Sequence, residues 1–70
     1  MDDKEKIKNE INNLQRIKNQ HTHERNERKD TARRYGSSHP TGQHAEQDAQ
    51  EYDRKIDQLD RQISDLMRKL

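Results

Sequence analysis

From Ala45 onward the apolar side chains fall at Ala45, Ala49, Tyr52, Ile56, Leu59, Ile63, Leu66 and Leu70, alternating spacings of four and three residues without a miss. This is the heptad seam of a coiled-coil helix, with Ala49, Ile56, Ile63 and Leu70 at a positions and Ala45, Tyr52, Leu59 and Leu66 at d. The other half of the chain carries a shorter version in Ile7, Ile11 and Leu14. Continuing its spacing gives Lys18, His21, Arg25, Arg28, Ala32 and Tyr35, so the stripe persists in geometry while its chemistry turns polar.

Between the two stripes lies YGSSHPTG, which holds both glycines and the only proline of the chain. Asp2 followed by Glu5 has the form of a capping box, and Asp2 and Asp3 suit the positive end of a helix dipole. Arg33 and Arg34 occupy what would be the last turn, Gly36 supplies a residue able to take positive φ, and Pro40 prevents continuation. Ser38 or Thr41 is then the cap of a second helix. The predicted layout is a helix over 2–35, a turn over 36–41 and a helix over 41–70, each rod about 45–50 Å long at 1.5 Å per residue.

Two helices of nearly equal length around one turn invite a test of register. With the turn centred between Ser38 and His39, Ile7 meets Leu70, Ile11 meets Leu66, Leu14 meets Ile63 and Lys18 meets Leu59. Further toward the turn, His21 meets Ile56, Arg25 meets Tyr52, Arg28 meets Ala49 and Ala32 meets Ala45. Each layer sets an a position against a d position, as an antiparallel coiled coil requires. The flanking positions place Glu10 by Lys69, Glu24 by Lys55 and Lys29 by Glu46, all opposite in sign, and Arg25 is expected to lie over the Tyr52 ring as a cation–π pair. A parallel pairing of two copies of the second helix would set Asp48 by Asp53, so the hairpin is the better arrangement.

Composition closes off other folds. Seventy residues allow one domain, and 23% hydrophobic residues with no Phe and no Trp cannot wrap an ordinary globular core, which excludes sandwiches and layered α/β folds. The fold class is all-α, a two-helix antiparallel coiled-coil hairpin. Its aliphatic side chains (Ile7, Ile11, Leu14, Ile17, Ile56, Leu59, Ile63, Leu66 and Leu70) make a thin seam, so the hairpin is expected to dimerise into a four-helix bundle, with Ile17 at a g position widening the apolar face. There is no cysteine, and no apolar run approaches a membrane span. A soluble, cytoplasmic protein with no membrane partner is expected.

The same chain offers three functional classes. Fifteen basic and 14 acidic residues nearly cancel, so net charge selects no partner. Within HTHERNERKDTARRYG, Arg25, Arg28, Lys29, Arg33, Arg34 and Tyr35 are the candidate contacts to a partner or to nucleic acid, Tyr35 as a ring on which a base would stack. Glu24, Glu27 and Asp30 interrupt that basic run, whereas phosphate binding favours unbroken positive potential. His21 and His23, two apart on a helix, point away from each other, and His39 with His44 makes only a pair, so no metal site is read. Asp57 and Asp60 stand one turn apart with no apolar pocket around them, and no phosphate cradle or nucleophile motif occurs. The reading is a small non-enzymatic protein-interaction or regulatory factor, a homodimer without cofactor, with a protein partner. The alternative is a nucleic-acid-binding dimeric bundle that uses the basic segment of helix one.

Overall fold

Acidic residues open the first helix, Asp3 and Glu5 in its first turn, and Arg33 and Arg34 close it, so both ends complement the helix dipole. The computed structural model describes residues 3–70. It forms α1 over Asp3–Tyr35 and α2 over Pro40–Arg68, which fold back on each other as an antiparallel hairpin with extents of 54 × 14 × 11 Å. The capping box expected at Asp2 lies outside the described residues.

Gly36 ends α1. Its φ of +80° is the left-handed conformation that favours glycine, and its N–H donates to the Ala32 carbonyl at 2.8 Å, the single bond of an αL helix stop. The His39 N–H then donates to the Gly36 carbonyl at 3.3 Å and closes the turn. Here the structure corrects the expected boundary. The second helix starts at Pro40, not Thr41, and its cap is neither Ser38 nor Thr41 but His39, extended at φ −95° and ψ 135°, whose Nδ1 accepts from the Thr41 N–H at 3.1 Å. Proline has no N–H to leave unpaired at the first helical position and its φ is already helical, so the residue that stops one helix also starts the next. The Gln43 side chain ties the turn down by donating to the Ser37 carbonyl at 2.8 Å, and the Tyr35 ring meets the His39 ring at a tilt of 39° with centroids 5.0 Å apart.

Gly42, on the helix side of the expected turn, is buried in the first turn of α2. A Cβ there would fall onto the Gly36 carbonyl oxygen and 2.9 Å from the carbonyl carbon. At Gly42 the backbone of α2 therefore approaches that of Gly36 more closely than any side chain would allow.

The core belongs to α2. Ala45, Ala49, Ile56 and Ile63 are buried, whereas α1 buries no residue and contributes Ile7, Ile11, Leu14 and Ala32 half-buried. Tyr52, Leu59 and Leu66 on α2 are also half-buried. Leu70 departs from the expected helix bounds: α2 ends at Arg68, a turn from the Met67 carbonyl to the Leu70 N–H follows, and Leu70 is 45% exposed. No helix among the described residues is long and apolar enough to cross a membrane.

Candidate functional site

α1 carries ten basic and six acidic residues and α2 four basic and seven acidic, so the near-neutral chain is laterally polarised. That polarity decides the interhelical ion pairs. Lys18 reaches Asp60 at 2.6 Å, Arg25 reaches Asp53 at 3.0 Å and Arg28 reaches Asp48 at 3.7 Å. Lys18 and Arg25 are a heptad apart on α1, Asp60 and Asp53 a heptad apart in the reverse sense on α2, and the match fixes the antiparallel register. Each such exposed pair contributes only about 0.2–1 kcal/mol, so their value is in alignment more than in stability.

These pairs replace the expected ones. Among the described residues no ion pair joins Glu10 to Lys69, Glu24 to Lys55 or Lys29 to Glu46. Lys18 and Arg25 sit at seam positions, and their long stems run along the interface to acids that flank it, a shorter path than the one between two outer side chains. Arg25 is therefore on Asp53 and not on Tyr52, whose ring is covered by Lys55 at 5.4 Å and meets the His21 ring at 5.7 Å.

The hairpin has two broad faces. On the first, beside the turn, Ala32 and Ala49 form the floor of a cleft of about 320 Å³, with Lys29 and Arg33 on the α1 side and Glu46, Gln50 and Asp53 on the α2 side. Short floor residues between long polar walls create it. The second face carries the d residues: His21 and Leu59 line a smaller cleft of about 230 Å³ with Lys55, Gln58 and Gln62. Ile17, 43% exposed, stands at the g position on this same side of α1.

The basic residues singled out in the sequence do not form one patch. Arg25 and Lys29 belong to the first face and Arg28, paired with Asp48, to the second. Arg33 lines the first cleft while pairing with Asp30 at 3.4 Å, and Arg34 and Tyr35 stand at the tip, Tyr35 51% exposed. Glu46 and Asp53, the acidic residues of the cleft, and Gln50 between them were not among the candidate contacts. The signal available for Asp53 was the heptad match between Lys18 and Arg25 on one helix and Asp60 and Asp53 on the other. No three His, Asp or Glu side chains among the described residues converge as a metal site requires, and His23 is engaged with Glu27 at 2.9 Å on the outer surface.

Two groups on the second face have consequences that can be measured. The His21 Nδ1 is sealed from solvent with no hydrogen-bond partner, as is the Arg25 Nε. A buried unsatisfied polar atom costs about 1–3 kcal/mol, so His21→Leu, which also extends the aliphatic seam by one layer, is expected to raise the melting temperature at pH 7.5. A lower melting temperature would mean that the imidazole has a stabilising role beyond its contact with Tyr52. Tyr52 itself has its phenol pKa pushed above the ordinary 10.0, chiefly by the Glu24 carboxylate that hydrogen-bonds the neutral hydroxyl, with burial and the Glu24 charge acting in the same direction. The folded state then holds the phenolic proton more tightly than the unfolded chain. Its contribution is complete below the unfolded pKa and is lost as pH rises through the folded one. Absorbance titration of Glu24→Gln should show Tyr52 ionising at lower pH than in the parent; an unchanged titration would remove Glu24 as the cause.

No protein-family model, curated protein or solved structure matches the chain.

Proposed function

We propose that the hairpin is a small non-enzymatic protein-interaction or regulatory factor of the cytoplasm, and that it takes a segment of a protein partner in the cleft beside the turn. One observation carries the reading. The cleft has Lys29 and Arg33 on one wall and Glu46 and Asp53 on the other, above an alanine floor. A polyanion gains from the first wall and is repelled by the second, whereas a peptide with side chains of both signs finds a complement in Lys29 and Glu46, the two wall residues that no ion pair engages among the described residues. The same walls count against nucleic acid, and so does the engagement of Arg25, Arg28 and Arg33 by Asp53, Asp48 and Asp30.

Two measurements separate the classes. The protein is expected to pass through heparin at moderate salt; strong retention with a steep salt dependence would favour the nucleic-acid reading and overturn this one. A photo-cross-linking residue at Gln50, in the cleft, should give a protein adduct in cells that survives nuclease and is lost when Glu46→Lys reverses one wall. An adduct that disappears with nuclease would overturn the reading equally.

A further inference from the structure

The second face of the hairpin is not closed by the packing of its own two helices. Ile7, Leu14, Leu59 and Leu66 remain half-exposed after the two helices have packed, and Ile17 stands out among them at 43% exposure. Across from Ile17 on the same face is the cleft of about 230 Å³ between His21, Lys55, Gln58, Leu59 and Gln62. A projecting aliphatic side chain and a recess with a leucine in its wall lie side by side at the same level of the rod. From these we infer that the face is the interface with a second copy of this chain, Ile17 of each copy filling the cleft of the other.

Charge selects the arrangement. A two-fold axis lying across the rods would set α1 on α1, oppose two net-basic helices, and lay the aliphatic half of one copy on the polar half of the other. An axis running along the rods sets α1 on the α2 of the second copy, turn beside turn, and superposes the aliphatic halves. The contact is then isologous and closes on itself. It also places Glu10 beside Lys69 of the second copy and Glu24 beside Lys55 of the second copy. Among the described residues none of these four has an ion-pair partner within the hairpin, although they were the complementary flanking charges of the sequence. The face is also large enough. A rod 54 Å by 14 Å presents about 750 Å² per copy, or about 1,500 Å² in all, within the range of stable protein interfaces. This surface is on the opposite side from the two-signed cleft, so a dimer leaves both clefts open and brings the two tips, with Arg34 and Tyr35, to one end.

The test uses the whole chain in light scattering and sedimentation at micromolar concentration. A mass twice that of the chain is expected. Ile17→Asp, at a position already in contact with solvent, should keep the helical circular dichroism and weaken dimerisation by roughly thirtyfold or more. Glu10→Lys and Lys69→Glu should each weaken the homodimer, and an equimolar mixture of the two variants should restore dimerisation as a heterodimer with both pairs re-formed. Spin labels at Ser38→Cys read the geometry, a separation well under half the 54 Å rod for turns at one end and nearly the whole rod for turns at opposite ends. A chain that stays monomeric leaves the face to a different protein and overturns the proposal. So does a dimer indifferent to Ile17→Asp, or one whose labels are a rod length apart.

Discussion

Ile63→Ala is expected to cost about 2–5 kcal/mol and to abolish most of the helical signal at 37 °C. Ile56→Ala should do the same. The reason is the distribution of the core: Ala45, Ala49, Ile56 and Ile63 are the buried hydrophobic residues among those described, and only the two isoleucines have appreciable volume to lose. Each packs against α1 side chains that are themselves half in solvent, so the void left by truncation has few neighbours able to collapse into it. A rod of this size has a total stability at or below the low end of the usual 5–15 kcal/mol, and a loss of this magnitude removes most of it. Met67→Ala is the control. Met67 is 55% exposed, and its truncation should change stability by no more than about 0.5 kcal/mol. Thermal melts followed at 222 nm decide the matter; if Ile63→Ala melts within a degree or two of the parent, the a positions of α2 are not what holds the hairpin.

Gly42→Ala is expected to destabilise the hairpin by about 1–3 kcal/mol, which reverses the sign of the ordinary effect. Glycine to alanine inside a helix normally gains about 1 kcal/mol, because alanine loses less backbone entropy on folding. Here the new methyl would occupy the position of the Gly36 carbonyl oxygen, a backbone atom that cannot swing aside as a flexible side chain would. Relief requires the turn to shift, and the turn is held by the bonds from Gly36 to Ala32, His39 to Gly36 and Gln43 to Ser37. Gly36 makes the contrast: open space surrounds its Cα, so its need for glycine comes from φ alone, and Gly36→Asn should be tolerated better than Gly36→Val. Chemical denaturation of Gly42→Ala measures the sign directly. A gain in stability would show that the two backbones are further apart than the structure places them.

The parts of this architecture that were legible in the sequence are those governed by one variable at a time. The seam from Ala45 to Leu66 could be read because hydrophobic burial acts on every fourth or third residue and nothing competes with it. The turn was legible at Gly36, where positive φ narrows the choice of residue. It was misread at His39 and Pro40, because imidazole is an uncommon cap and a proline that blocks one helix can equally begin another. The flanking charges failed for a different reason. Opposite-sign pairs at e and g were present, but Lys18 and Arg25 at seam positions had the reach to take Asp60 and Asp53, and a list of spacings does not say which of two partners is nearer. The two faces of the hairpin were not legible at all. Which of the a and d rows of α2 becomes buried and which stays half-exposed depends on how the rods roll against each other, and that roll is set jointly by the alanines near the turn and the branched residues further out.

The buried alanines and glycine next to the turn, and the isoleucines and leucines far from it, also separate two properties that usually travel together. Contacts near the turn, such as Ala32 with Ala45, are the nearest in sequence and individually weak, while the aliphatic contacts that dominate stability join residues at the far ends of the chain. Closing the chain directly at Ile11 and Leu66 costs about 1.3 kcal/mol more loop entropy than closing it at Ala32 and Ala45, by the logarithmic dependence on loop length. The favoured order of events is therefore turn, then alanine layer, then the outward progress of pairing through Arg25 and Lys18 to the aliphatic end. Substitutions at Gly36, His39 and Gly42 are therefore expected to act mainly on the rate of folding, and those at Ile56 and Ile63 mainly on the rate of unfolding, so that the two rates can be adjusted separately.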